Sequence, residues 1–338
     1  MHAVILTETK GKNNLKYTSI PTPVAAKEHA LIRVKYCGIN HLDLLIAIGK
    51  RPGPAQFPHI LGSEIVGTII SIEKNSAGFR TGDTVSVYPW TYCGSCPSCR
   101  AGNVQLCDSG GTVGRTTWGG YAEYVSVPIK NLVKIPEQIP LKLIAAITLT
   151  GTTAHHLIQR ANIADRSTVL VTGATGGVGT LVIQLLRQKQ CNIVAVTSSK
   201  NKVNKLKKLG VHTVFDLKKF SDNVKTNYPA GIPLIIDMMG GSVWSALVEL
   251  LAKGGTMSFC STTLDEPGIV HVGSAFSREI NVCGSYGGTM KDLGKSIKSL
   301  KKGVIKPQID SIISLPEVPA ALSKIKNREV FGKILISM

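Results

Sequence analysis

Val169-Leu170-Val171-Thr172-Gly173-Ala174-Thr175-Gly176-Gly177-Val178-Gly179 sets the architecture of this chain. A β-branched apolar run ends in glycines, and residues from Gly177 to about Lys189 read as a helix. In a parallel sheet, strand, tight turn and helix in that order bring backbone N–H groups and a helix N-terminus to one point, where a diphosphate can sit. A side chain in the turn would hold the pyrophosphate off the backbone, so glycine is required there. Glycine runs also make plain tight turns. Here the flanks are right, and alternating strand and helix patterns continue for about a hundred residues.

Val169–Thr172, Ile193–Thr197, Val214–Asp216, Leu234–Asp237, Thr256–Cys260 and Ile280–Cys283 read as strands. Their near-continuous apolar character predicts a parallel sheet buried on both faces. Helices are expected at Leu141–Thr150, Thr153–Arg160, Lys202–Leu209 and Val243–Ala252. Residues 1–150 instead show short strands between prolines and glycines, including Leu31–Tyr36, Ile65–Ile72, Gly82–Val87 and Tyr121–Val127. A β-rich, barrel-like domain follows. The tail reads as a helix from Leu293, a turn at Pro307, a helix near Val318–Ile325 and a strand at Lys333–Ser337. That last strand has no partner among the six and is expected to return to the first domain. The fold class is thus α/β, a doubly wound parallel sheet plus a β-rich domain. The expected division is 1–145, with a lobe at 90–110, then 146–288, then a C-terminal segment 289–338.

At 338 residues the chain can form two cores, and 43% apolar content excludes a disordered protein. No apolar run reaches the ~18–20 residues that span a bilayer. Met1-His2-Ala3-Val4-Ile5-Leu6 lacks the pattern of a secretion signal, so a cytoplasmic location is expected. The net charge of +18 would suit nucleic acid or a membrane surface. However, the lysines are spread, densest at 200–208 and 291–302, and 5% aromatic content offers no stacking platform. A solvated lysine surface that attracts anionic ligands, such as a phosphorylated cofactor, is the preferred reading. A small-molecule substrate and a homo-oligomer, dimer or tetramer, are the expected partners; nucleic acid is the lesser reading and a membrane is not expected.

Four of eight cysteines are spaced Cys93-x2-Cys96-x2-Cys99-x7-Cys107. Glycines and prolines between them allow four thiolates to converge tetrahedrally on one zinc. Disulfides are disfavoured in a reducing compartment. All four positions are filled by protein, so this metal would hold a lobe together and leave no place for substrate.

Several segments carry a family resemblance. They are Gly62-Ser63-Glu64-Ile65-Val66-Gly67, Gly82-Asp83-Thr84-Val85, the cysteine lobe, Gly119-Gly120-Tyr121-Ala122-Glu123-Tyr124, the nucleotide glycines and Phe331-Gly332-Lys333-Ile334. Together they resemble the medium-chain dehydrogenase/reductase superfamily, which includes zinc alcohol dehydrogenases, quinone oxidoreductases and enoyl reductases. The resemblance implies a GroES-like catalytic domain, to which the C-terminus returns, and a Rossmann domain for the nicotinamide cofactor. It also locates departures. Where members with catalytic zinc place Cys in Gly-Ile-Cys-x-x-Asp, this chain has Gly38-Ile39-Asn40-His41-Leu42-Asp43. Where they place His before Glu, it has Ser63 before Glu64, and the third ligand position falls near Leu149. His41, Asp43, His59 and Glu64 are the residues from which a replacement metal site would have to be built; hydrogen-bonded positioners are the commoner use of such groups.

The Ala-Thr insertion before Gly176-Gly177, with Asn40 at the cysteine position, resembles the quinone oxidoreductase branch. The retained cysteine lobe is less typical of it. Gly173, Thr175, Gly176, Gly177 and Val178 are expected to hold the cofactor diphosphate. Beyond the next strand, Val196-Thr197-Ser198-Ser199-Lys200-Asn201-Lys202 offers hydroxyls and lysines where NAD sites carry an acid. Ser198 and Lys202 therefore point to NADPH. Cys260-Ser261-Thr262 and Gly284-Ser285-Tyr286 are expected around the nicotinamide half. Asn40 and Ser63 are expected at the reacting centre, with Asp43 and Thr150 as second-line positioners. The expected enzyme is an NADPH-dependent reductase of quinones or activated C=C bonds, without catalytic zinc. A zinc-type alcohol dehydrogenase and a nucleic-acid-binding relative of the quinone reductases are the alternatives.

Overall fold

The computed structural model of the protein describes all residues except 12, 55, 74–76 and 262–266. Thr262, expected near the nicotinamide, lies outside the described residues. The chain forms two compact units: Met1–Leu149 with Thr289–Ile297 and Pro307–Met338, and Thr150–Gly288 with Lys298–Lys306.

In the first unit the elements begin with β1 (His2–Leu6), β2 (Leu15–Ser19), β3 (His29–Gly38), α1 (His41–Ala47), β4 (His59–Ile60), β5 (Glu64–Ile72) and β6 (Thr84–Val87). They continue with β7 (Trp90–Thr91), α2 (Pro97–Arg100), β8 (Gly111–Thr112), β9 (Tyr124–Pro128), β10 (Leu132–Lys134) and α3 (Leu141–Ala145). The second unit holds α4 (Thr150–Arg160), β11 (Thr168–Val171), α5 (Gly177–Gln188), β12 (Asn192–Thr197), α6 (Val203–Leu209), β13 (Thr213–Asp216) and α7 (Phe220–Asn227). Then follow β14 (Ile232–Asp237), α8 (Trp244–Leu250), β15 (Leu251–Phe259), α9 (Val272–Ser277) and β16 (Asn281–Gly284). The chain ends through α10 (Met290–Lys301), β17 (Ile309–Ile313), α11 (Val318–Lys326) and β18 (Lys333–Ser337).

A seven-stranded sheet in the order β10-β6-β5-β3-β18-β17, with β9 also on β3, is the frame of the first unit. The ten-residue β3 has β5 along one edge, while β9 and β18 share the other. Inward residues Ile32, Ile65, Ile69, Val125, Ile334 and Ile336 belong to one core, each almost free of solvent. Alternation along β3 and β5 drives those side chains to one face, where burying each contributes roughly 1.5–3 kcal/mol. The final strand does return: Leu335 pairs with Gly38 and Ile336 with Cys37, antiparallel. β17 runs parallel beside it. Its mixed sequence, Ile309-Asp310-Ser311-Ile312-Ile313, hides the strand from pattern reading, as does the polar Asn40-His41 start of α1.

The second unit contains a six-stranded parallel sheet ordered β13-β12-β11-β14-β15-β16. The order reverses between β11 and β14, so the carboxyl end of β11 is the topological switch point. Leu170, Val194, Ile235 and Met257 pack there with Leu247 of α8. The six strands agree with the sequence reading, except that β15 begins at Leu251. Among the described residues no helix is long and apolar enough to cross a membrane.

Two glycines of the decisive stretch have separate reasons. Gly173 is left-handed, with φ +60°. Gly179 lets α5 start against the turn: a Cβ there would lie 2.3 Å from the Gly173 carbonyl oxygen. Gly179→Ala must therefore push the helix off the turn. It is expected to cost about 1–3 kcal/mol, as overpacking does, measured by urea unfolding. An unchanged midpoint would show that the turn yields freely.

Candidate active site and metal centre

The polar centre of the first unit is built where β3 hands over to α1. Asn40 precedes the helix, and Asp43, three residues on, reaches back so that its Oδ2 accepts from Asn40 N at 2.8 Å. The same oxygen accepts from the Tyr121 hydroxyl at 2.7 Å. β18 carries a lysine into this spot. Its Nζ donates to Ile39 O at 2.6 Å and Asn40 Oδ1 at 2.8 Å, and pairs with Glu64 Oε2 at 2.7 Å. Glu64 opens β5; its Oε1 accepts from the Leu149 backbone N–H at 2.8 Å, and Oε2 also accepts from Asn40 Nδ2 at 3.3 Å. Lys333 is 3% exposed and Glu64 not at all, so the pair is dry.

Asn40, Ser63, Asp43 and Thr150 are all buried. The structure brings Asn40 and Asp43 together with Glu64; Ser63 is the residue before Glu64, and Thr150 begins α4. Both polar atoms of the Asn40 carboxamide are engaged, since Nδ2 donates to Gly38 O as well as to Glu64. Lys333 and Tyr121 carry the network, although sequence reasoning gave neither a role. The signal was there in Lys333, a cation inside the apolar run Phe331-Gly332-Lys333-Ile334-Leu335-Ile336. Burial lowers the basicity of His41 and His59, which favours neutral imidazoles.

Burial pushes the Asp43 carboxyl up to about 6, against the partial offset of the Tyr121 and Asn40 hydrogen bonds, the Lys333 charge and Gly62. Its Oδ1 is buried with no partner among the described residues. A carboxyl whose folded value is raised contributes stability below its unfolded value, and that contribution is lost as pH rises through the folded one.

In the cysteine lobe, Cys93, Cys96, Cys99 and Cys107 place their sulfurs within 4.8 Å of one another. Cys93 and Cys99 Sγ are 3.9 Å apart, close to the ~3.8 Å edge of a tetrahedron with 2.3 Å zinc–sulfur bonds. The backbone N–H groups of Ser95 and Cys96 aim at Cys93 Sγ and hold that thiol down at about 5. Burial pushes Cys99 up to about 12, and the three neighbouring sulfurs add to the rise. One dication among them removes that conflict, so the donor set fits zinc. Among the described residues no other group of His, Cys, Asp or Glu side chains converges in this way. His41, Asp43, His59 and Glu64 do not gather into a ligand set, and Asn40, Ser63 and Leu149 supply no thiolate or imidazole.

In the second unit the expected cofactor residues follow the carboxyl ends of parallel strands. The glycine turn follows β11, Ser198 follows β12, Cys260 and Ser261 follow β15, and Ser285 follows β16. Thr175, Gly177 and Val178 are half-buried and Gly176 is exposed. The first N–H groups of α5 have no acceptor within the helix and are available to an anion. Ser285 Oγ is buried without a partner among the described residues, which suits a polar ligand group. Ser198 and Lys200 are exposed, whereas Lys202 is 5% exposed. Beneath the turn, Asp237 accepts from Thr172 Oγ1, and from Gly240 N and Trp244 Nε1 at 2.9 Å each.

A barrel-like unit bearing a four-cysteine lobe, joined to a dinucleotide-type sheet, defines a class. The alcohol dehydrogenase GroES-like domain family matches residues 26–137, and the zinc-binding dehydrogenase family matches residues 177–302. The chain belongs to the zinc-type medium-chain dehydrogenase/reductase superfamily and is an NAD(P)-dependent oxidoreductase. It is similar to a thermostable alcohol dehydrogenase from Pyrobaculum aerophilum, 32% identical with a TM-score of 0.92, covering 100% of this chain and 99% of that one. It is 28% identical to an acryloyl-coenzyme A reductase of Sulfurisphaera tokodaii over 96% of this chain and 97% of the relative. An alcohol dehydrogenase of Schizosaccharomyces pombe is 25% identical over 97% and 95%.

Two outcomes are expected at these centres. Between pH 4.5 and 7.5 the wild type should lose about 2 kcal/mol of unfolding free energy relative to Asp43→Asn, from the shift of Asp43 to about 6. Urea unfolding across that range checks it, and parallel curves would mean that Asp43 titrates normally. Metal analysis should find about one zinc per chain, the count for one four-thiolate site. Cys96→Ser should lower zinc content and thermal midpoint together; zinc retained at full occupancy would remove the lobe as its holder.

Proposed function

We propose that the enzyme is an NADPH-dependent reductase of quinones or activated C=C bonds, enones or enoyl thioesters, and works without a catalytic metal. One observation carries this reading. The three positions where the family's catalytic zinc ligands are expected hold Asn40, Ser63 and Leu149, and Asn40 and Leu149 are joined by Glu64, itself neutralised by Lys333. Bound NADPH supplies the hydride. Reducing a simple ketone concentrates charge on one oxygen, which calls for a Lewis acid or a strong proton donor. Hydride addition to an enone or quinone spreads that charge, and neutral hydrogen-bonding groups suffice. Ser63 offers its hydroxyl to the substrate oxygen and Asn40, whose N–H groups are taken by Gly38 O and Glu64, backs that wall, while Asp43 fixes Asn40 and Thr150 borders the same chain segment as Leu149. The acryloyl-coenzyme A reductase relative supports this reading.

For the cofactor, Ser198, Lys200 and Lys202 supply hydroxyls and cations without an acid, which favours a 2′-phosphate. The alcohol dehydrogenase relatives favour a second reading, alcohol oxidation. A homo-oligomer is supported by the edge strand β16, which among the described residues pairs only with β15, and by the exposure of Val282 on it and of Val272 and Phe276 on α9.

Steady-state kinetics with both cofactors test the proposal. NADPH with 1,4-benzoquinone or a small enone should give far higher kcat/KM than NADP with ethanol or benzyl alcohol, and EDTA that spares the lobe zinc should not reduce it. Lys200→Ala or Lys202→Ala should cost roughly 1.5–3 kcal/mol in NADPH preference, one charge-assisted contact. Chelator-sensitive alcohol oxidation with inert quinones and enones would install the second reading instead.

A further inference from the structure

Residues 112–121 wrap the short segment that leads to Ser63. Gly119 N donates to Ile60 O at 2.8 Å, Gly120 N to Gly62 O at 2.8 Å and Tyr121 N to Leu61 O at 3.0 Å. Gly114 sits directly on Gly62, the residue before Ser63: a Cβ on Gly114 would lie 2.6 Å from the Gly62 carbonyl carbon and oxygen. The tip of the wrap is a closed turn. Gly114 N donates to Thr117 O at 2.9 Å, and Thr116 Oγ1 accepts from Thr112 N at 2.9 Å. Val113 N is anchored to Pro89 O at 2.9 Å, just ahead of Trp90. Arg115 therefore stands in a fixed turn, one residue beyond the contact with Gly62.

Arg115 is half-buried, and its Nε is buried with no partner among the described residues. Its guanidinium makes no ion pair among them either. Residues 57–63 and 111–121 contain no Asp or Glu, and no Lys or Arg besides Arg115. His59, whose ring is hydrogen-bonded to the Gly114 backbone, has its basicity lowered by burial and does not add a second cation. A guanidinium cannot shed its proton, so a charge drawn partly into the protein calls for an anion. Its planar fork of N–H donors matches a carboxylate or a phosphate, two oxygens at a time. We propose that Arg115 is a specificity-determining residue: it binds an anionic oxygen group, a carboxylate or a phosphate, that the substrate carries beyond its reacting carbonyl. The proposal rests on Ser63 belonging to the reacting site. It narrows the substrates to those bearing an acid, either a carboxylate on the reacting skeleton or the phosphates of a coenzyme A thioester. An arginine that only supported the turn would affect charged and neutral ligands alike, whereas an anchor discriminates between them.

Calorimetric titration of the full-length, zinc-loaded protein, saturated with the oxidised nicotinamide cofactor, reads binding without turnover. Two pairs of probes differ only in the anion: 4-acetylbenzoate against 4-methylacetophenone, and butyryl-coenzyme A against S-butyryl-pantetheine. Wild type should bind the anionic member of at least one pair about tenfold or more tighter, the lower end for one charge-assisted contact. The pair that shows the preference tells whether the anion is a carboxylate or a phosphate. Arg115→Gln should bring that pair to within about twofold by weakening the anionic member alone. Arg115→Lys keeps the charge without the fork, so it should retain a smaller preference; it also carries the test if the glutamine variant does not fold. No hydride moves in these titrations. Failure of the reductase reading would therefore appear in the kinetics with enones and alcohols and leave this comparison intact. No preference in either pair for wild type would overturn the proposal. So would a preference that survives Arg115→Gln or Arg115→Lys undiminished, or an equal weakening of charged and neutral members.

Discussion

The buried pair of Lys333 and Glu64 joins the far ends of the chain, and the polar centre depends on it. Glu64 opens β5 and Lys333 opens β18, and each is held by backbone groups of a third segment, Leu149 N and Ile39 O. Two charges taken out of water cost several kcal/mol each, and attraction repays this only with near-complete hydrogen bonding. Here the bonding is close to complete: the ammonium has three oxygen acceptors, and the carboxylate has donors on both oxygens. Such a pair adds little net stability over an apolar isostere. What it supplies is definition, since only the native register of β18 on β3 brings Lys333 to Ile39. A shift of one residue would turn the lysine to the other face and leave Glu64 uncompensated.

The second unit solves a similar problem with one carboxylate and no cation. Asp237, at the end of β14, is fully buried and accepts from Thr172 Oγ1, Met239 N, Gly240 N and Trp244 Nε1. Dipoles of backbone and side-chain donors take the place of a counter-ion. Thr172 begins the glycine turn and Trp244 begins α8, so this carboxylate ties the turn to the neighbouring crossover. Trp244 is further fixed edge-on to Phe259, ring centroids 4.5 Å apart. The glycine turn therefore rests on a base tied together by Asp237.

Sequence reading recovered what rests on local pattern. The six parallel strands, the glycine turn, the cysteine lobe and the returning terminal strand each have a period, a spacing or a composition that physics translates directly. β17 escaped because its inward isoleucines are interleaved with Asp310 and Ser311 on a strand that is only half-buried. The network around Asn40 escaped for a different reason. Asn40 and Lys333 are far apart in sequence, and no local rule states that a lysine in one apolar strand will answer a glutamate opening another. Asp43 was expected as a second-line positioner, but its raised protonation range was not legible, because that depends on how completely Tyr121 and the barrel core exclude water.

The same frame accommodates either a zinc-assisted or a zinc-free reaction, and the difference reduces to donor chemistry at three positions. Cysteine and histidine there would bring their own need for a dication. Asn40, Ser63 and Leu149 bring none; of the two acids beside Asn40, Glu64 is neutralised by Lys333 and burial pushes Asp43 up to about 6. A site built on these three has no positive charge of its own to direct at a developing alkoxide. Its means of favouring a transition state are fixed dipoles, and fixed dipoles help most when the new charge is spread over several atoms and changes little in position. The Asn40 carboxamide, with Lys333 on its oxygen and with Glu64 and Gly38 O on its nitrogen, is held in one arrangement by the protein's own groups.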